Sequence, residues 1–262
     1  MKNMMRWTSV CLLVLSFAGQ SLAITWFPKE FTCPIDSEKN TFYVVGSYGS
    51  YIYSYPSKYQ WLFFPHTDSP TYYLCKKCHL ATFMWDFDSL PKEKLADIKT
   101  VLATVKVSKP FKEYQEIPIT ERVEIMEKIY TVLGKDQEWW EQFYRIKGYH
   151  YGKAGDSQKA AENRRKSLDK VQKMLADNKD GSSKKLLLYV SGSMKHFLED
   201  DKGAIQDLEK ALSTKYAAKG ATAEELKDGE EGLNERIRDY IARIKSEKDK
   251  PRLFDRSGAD QH

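Results

Sequence analysis

Between residues 148 and 212 the chain repeats itself at a step of 44 residues, and no other feature restricts its fold as much. Gly148 is matched by Gly192, Asp156 by Asp200, Ala160 by Ala204, Lys166 by Lys210 and Leu168 by Leu212. A step of this length describes two helices that cannot bury an apolar face alone and stack on the next pair. The small residue in the first helix lets the second approach closely. The Asp caps helix two at the turn, and the Ala one turn in keeps the crossing tight.

Helical periodicity extends on both sides, from Pro91 onwards. Thr120 is expected to cap a run of Val123, Met126, Ile129, Tyr130 and Leu133 that Gly134 ends. Asp136 can cap a helix carrying Trp139, Trp140, Phe143, Tyr144, Ile146 and Tyr151, and Asp156 one carrying Ala161, Val171 and Leu175. Residues 184–199 and 201–216 form a further pair. After a link around Gly229 and Gly232, Leu233, Ile237, Tyr240, Ile241 and Ile244 mark a last amphipathic helix.

Gly148, Tyr151, Gly155 and Ala160 fall at a small, large, small, small spacing, followed in the second copy by Gly192, Ala204, Leu208 and Ala211. In this the region resembles the tetratricopeptide repeats. It departs from them at Arg164, where a large apolar residue is usual, in lacking the late proline, and in exceeding their usual step of about 34 residues. The resemblance implies a stacked helical surface that binds a protein or peptide partner. A helical bundle without a groove is the alternative.

The first third reads differently. Residues 1–23 have the layout of a secretory signal: basic Lys2 and Arg6, an apolar run from Val10 to Ala18, then Ser21-Leu22-Ala23 before the cut. The expectation is an exported protein, periplasmic or secreted, with no membrane span after cleavage. Residues 24–90 then form an aromatic-rich cysteine module. Turn residues separate β-prone runs at 42–45, 51–55, 61–64 and 71–74.

Three cysteines survive cleavage, and an odd number cannot complete a set of internal disulfides. Cys33-Pro34-Ile35-Asp36 and Cys75-Lys76-Lys77-Cys78-His79 look like two metal-binding knuckles. Cys33, Asp36, Cys75 and Cys78 are then the ligands of a zinc ion, with His79 as an alternative fourth. A carboxylate is a harder ligand than thiolate, so affinity falls. The arrangement resembles an uncharacterised bacterial family with a Cys-Pro-x-Cys knuckle, a Cys-x-x-Cys knuckle and repeat-like helices. That resemblance implies metal ligation by Cys33, Cys75 and Cys78. Here Asp36 replaces the fourth cysteine, and His79 stands where glycine is common.

Two other readings stay open. Cys75, Cys78 and His79 have the spacing of a c-type haem attachment, with His66 or Met84 as second axial ligand; alternatively, the cysteines form a disulfide and hold no metal.

Loss of Lys2 and Arg6 takes the formal net charge from +5 to +3, which gives no reason to expect nucleic acid. Arg164-Arg165-Lys166 reads as a solvated helix face, His150 and His196 as packing residues, and Trp139-Trp140 as core. No nucleophile elbow, phosphate loop or metalloprotease helix is present, and Asp86 and Asp88 do not by themselves indicate an enzyme, so an exported interaction or scaffold protein is expected, with a single-haem electron-transfer protein and an enzyme of unrecognised class as alternatives. The sequence therefore predicts an α+β, mainly α protein. Its order is a signal peptide at 1–23, a zinc-ribbon-like module at 24–90, helical-hairpin repeats at 91–246 and a polar tail at 247–262.

Overall fold

The computed structural model describes residues 24–47, 53–177, 184–218 and 220–246. The expected signal segment and C-terminal tail lie outside the described residues.

Two β-hairpins come first. Strand β1 (Thr25–Thr32) pairs antiparallel with β2 (Lys39–Ser47), ending with Thr32 opposite Lys39. Strand β3 (Tyr72–Leu74) pairs with β4 (Ala81–Phe83), ending with Leu74 opposite Ala81. The first ribbon is exposed along most of β1, while the second is fully buried.

Aromatic stacking joins them. Phe42 lies flat on Tyr73 with ring centroids 4.1 Å apart, and Phe87 and Tyr114 meet it edge-on. This core continues past residue 90 into α1 (Leu95–Leu102), α2 (Ile119–Leu133) and α3 (Gln137–Lys153), through Ile98, Val123, Met126, Phe143 and Tyr149. The cysteine-bearing hairpins and the first three helices thus share one apolar interior.

The other helices are α4 (Ser157–Ala176), α5 (Lys184–His196), α6 (Asp201–Ser213) and α7 (Ala223–Lys245). Three expected caps hold. Asp136 accepts from the Trp139 N–H, Asp156 from Lys159 and Asp200 from Gly203, at 2.8–3.0 Å. Gly134 ends α2 in the left-handed region at φ 68°. Thr120 is not a cap: α2 starts at Ile119 behind Pro118, whose ring already sets a helix-compatible φ.

The expected link around Gly229 and Gly232 is helical instead. Each glycine costs a helix about 1 kcal/mol, but Thr222 and Glu225 form a capping box and the stripe from Leu233 to Ile244 is buried. Gly229 also makes room for the Tyr216 ring, which stands 2.6 Å from where a Cβ would lie.

Helix α3 packs along α4 and α5 along α6, and the two pairs cross at matched positions. A Cβ on Gly148 would lie 3.4 Å from the Ala160 carbonyl oxygen and 2.9 Å from Arg164 Cγ. On Gly192 it would lie 2.9 Å from the Ala204 oxygen and 2.8 Å from Leu208 Cγ. Arg164 therefore stands where Leu208 stands in the second pair. It is buried, with its guanidinium 4.8 Å above the Phe197 ring, so the solvated-face expectation fails there while Arg165 is exposed.

The expected strand at 61–64 is absent, and 53–55 is not a strand either; residues 51–52 lie outside the described residues. The segment instead runs through turns against the helices, which take up its main-chain oxygens. Tyr189 Oη donates to Lys58 O, Ser193 Oγ to Tyr59 O, and Arg145 Nη1 to both Gln60 O and Trp61 O. Tyr59 enters the second core beside Tyr189 and Tyr240, and Asp239 accepts its hydroxyl at 2.8 Å. Side-chain donors thus satisfy carbonyls that a neighbouring strand would otherwise have to meet.

Candidate metal centre

Turns 33–38 and 75–80 close the two hairpins with the same backbone. The Cys33 N–H donates to Glu38 O and the Ser37 N–H to Cys33 O, at 2.8 and 3.0 Å. In the second turn Cys75 donates to Leu80 O and His79 to Cys75 O, at 2.9 and 3.1 Å. Ser37 and His79 occupy the left-handed region, at φ 59° and 61°. Asp36 therefore occupies in the first turn the place Cys78 occupies in the second.

The tips face each other. One ligand atom from each of Cys33, Asp36, Cys75 and Cys78 lies within 4.8 Å of the other three, a group that could hold a metal ion. Cys33 and Cys78 sulfurs are 3.5 Å apart, and Cys75 Sγ is 3.9 Å from either Asp36 oxygen. All three cysteines are free thiols; Cys33 and Cys75 are buried and Cys78 is half-buried. The alternative in which these cysteines form a disulfide is therefore not met.

Hydrogen bonds from Cys33 and Cys78 hold the Cys75 thiol far below its ordinary range, helped by the Lys77 and Cys78 N–H groups. The same contacts push Cys33 and Cys78 upward, Cys33 chiefly through Cys75 and Cys78 chiefly through Cys33. Further deprotonation calls for a cation among the four.

Asn40 is a member that the sequence did not reveal. It is 3 % exposed, and its side-chain nitrogen lies 3.5 Å from Cys75 Sγ. Its oxygen accepts from the Lys76 N–H at 2.9 Å. It thus pins the second knuckle from the first hairpin. A lone Asn in a strand carries no motif, so only the pairing of the hairpins reveals it.

His79 does not join the group. It fills the left-handed turn position that follows Cys78, and its ring lies beside Phe111 at 6.2 Å. The haem arrangement needs Cys75, Cys78 and His79 together on one porphyrin, but both sulfurs lie against Cys33 and Asp36. His66, named as an axial ligand, stands edge-on against Phe83 and Trp85, which stack on each other, and its carbonyl accepts from His150. Met84 packs against the first core.

No helix among the described residues is long and apolar enough to cross a membrane. No family model matches the chain, and no curated protein or solved structure matches it either.

Proposed function

We propose that this is an exported, non-catalytic scaffold and interaction protein in which Cys33, Asp36, Cys75 and Cys78 bind a structural zinc ion. The observation that carries the reading is the convergence of four ligand atoms from two hairpin tips of matching backbone. Zinc–sulfur bonds of about 2.3 Å in a tetrahedron give sulfur–sulfur edges of roughly 3.8 Å. The 3.5 Å separation of the Cys33 and Cys78 sulfurs is close to that edge. Four protein ligands also complete the coordination, and such closed sites are structural, whereas catalytic zinc keeps a position open.

The two matched helix crossings support tetratricopeptide-like packing of α3–α6. The sides of α3, α5 and α7 that meet residues 58–61 are used within the chain. A protein partner is therefore expected on the exposed polar sides of α4 and α6, around Glu162, Arg165 and Asp169 and around Lys202, Gln206 and Glu209.

The test is elemental analysis and an absorption spectrum of the exported protein, followed by chelation. One equivalent of zinc is expected, and its removal should expose residues 24–90 to hydrogen exchange, because such sites contribute about 10–16 kcal/mol in finger peptides. Metal-free protein unaffected by chelation would remove the reading. A Soret band that survives acid-acetone extraction would replace it with covalent haem.

A further inference from the structure

The three sulfurs of the metal group are not equivalent. Cys33 and Cys75 are 1 % and 0 % exposed, while Cys78 is half-buried and is the one that an outside reagent can reach. Cys33 Sγ lies 3.5 Å from Cys78 Sγ, across the gap between the two hairpin tips. A disulfide needs about 2.05 Å. The pair therefore has roughly 1.5 Å to close, less than a sulfur moves in one rotamer step.

Cys75 is tied elsewhere. Its sulfur lies 3.5 Å from the Asn40 side-chain nitrogen and 3.9 Å from both Asp36 oxygens. It shares a turn with Cys78, and Asn40 fixes that turn by accepting from the Lys76 N–H. Pairing Cys75 with Cys78 would draw Cys75 away from Asn40 and Asp36. Pairing Cys33 with Cys78 calls on none of these bonds.

Zinc binds cysteine as the thiolate, so in the loaded site access decides which sulfur reacts first. The proposed export also puts the group where disulfides persist. Resting on the metal reading above, we propose that Cys33 and Cys78 are a reversible thiol–disulfide couple that opens the metal site when a small-molecule disulfide oxidises it. The Cys78 thiolate attacks one sulfur of the small disulfide and expels the other as a thiolate, leaving a mixed disulfide on Cys78. The Cys33 thiolate then attacks Cys78 Sγ and expels the second small thiolate. Two electrons pass from the pair to the small disulfide, which leaves as two thiolates. Cys75 and Asp36 remain as ligands, too few for a closed site. The new bond joins the same two hairpin tips, so one cross-link replaces another and the tips stay together in either state.

The test is treatment of the zinc-loaded full chain with glutathione disulfide, followed by peptide mapping and by measurement of released zinc with 4-(2-pyridylazo)resorcinol. One zinc ion should appear for each Cys33–Cys78 bridge, and dithiothreitol should restore uptake. Hydrogen exchange at 24–90 should stay slow after oxidation, whereas chelation of the reduced chain should speed it. Cys33→Ser should stop at a glutathione adduct on Cys78, and Cys75→Ser should still form the bridge. No bridge, a bridge through Cys75, or zinc retained once the bridge has formed would overturn the proposal. A chain that takes up no zinc yet forms the Cys33–Cys78 bridge would remove the metal reading and leave the couple standing.

Discussion

Replacing Gly192 and Gly148 by alanine, one at a time, tests the matched crossings directly because the two sites differ in what surrounds them. In either helix the change removes the conformational cost of glycine, a gain of about 1 kcal/mol. At Gly192 the new Cβ would fall 2.9 Å from the Ala204 carbonyl oxygen and 2.8 Å from Leu208 Cγ. Ordinary contact starts several tenths of an ångström farther out, and a backbone oxygen in a helix gives way only if α6 moves. Such overpacking costs about 1–3 kcal/mol, so Gly192→Ala should destabilise by about 1 kcal/mol net. At Gly148 the Ala160 oxygen stands at 3.4 Å, and the close neighbour is Arg164 Cγ at 2.9 Å. That carbon belongs to a side chain, so it can yield by a few tenths of an ångström without moving the backbone of α4. Gly148→Ala should therefore be neutral or stabilise by up to about 1 kcal/mol. Urea unfolding followed by circular dichroism measures both, and the two variants should differ by about 1–2 kcal/mol. Equal effects, or a more stable Gly192→Ala, would refute the packing argument.

Two further predictions follow from the metal group and the buried histidines. Asp36→Cys gives the first knuckle the ligand of the second, and a softer thiolate should tighten zinc binding by at least roughly tenfold; competition with a chromophoric chelator measures the change, and unchanged or weaker binding would refute it. Burial lowers the pKa of His66 to about 4 and that of His150 to about 3, from an ordinary 6.5. The unfolded chain therefore binds more protons below that value, and stability present above pH 6.5 is lost as pH falls toward 4. Each histidine should account for about 2 kcal/mol between pH 7 and pH 5. Urea midpoints of the protein and of its His150→Asn variant, compared at each pH, should show this, with the variant markedly flatter; parallel pH profiles would refute the assignment.

Features that depend on neighbouring residues were legible in the sequence. Asp136, Asp156 and Asp200 cap because a carboxylate there reaches an N–H three residues on. Gly134 stops α2 because glycine enters the left-handed region at little cost. Cys33, Asp36, Cys75 and Cys78 could be grouped because each knuckle's spacing aims two ligands the same way. Features made by distant contacts were hidden. The aromatic run 61–64 has the composition of a strand, but Arg145, 84 residues after Trp61, takes its carbonyl. Arg164 looks solvated by charge alone, yet its methylenes fill the space that Gly148 leaves and its head meets Phe197. Asn40 has no local signature either.

The metal group and the helices act on the same stretch of chain from opposite ends. A zinc ion joining 33–36 to 75–78 would close a loop of about forty residues, which in the chain-entropy account of cross-links is a stabilisation of about 4 kcal/mol. Within that loop, the carbonyls of residues 58–61 accept from side chains of α3 and α5, and Lys58 and Tyr59 bond Asp239 of α7. Arg145 can make its contacts because Glu141 fixes its guanidinium through two bonds of 2.9–3.0 Å, with Ser167 of α4 bonded to the same carboxylate. Ordering the loop at one end lowers the entropy lost in ordering it at the other. Zinc binding and helix docking should therefore reinforce each other across the chain, which is how a small thiol cluster could stabilise a helical stack it does not touch.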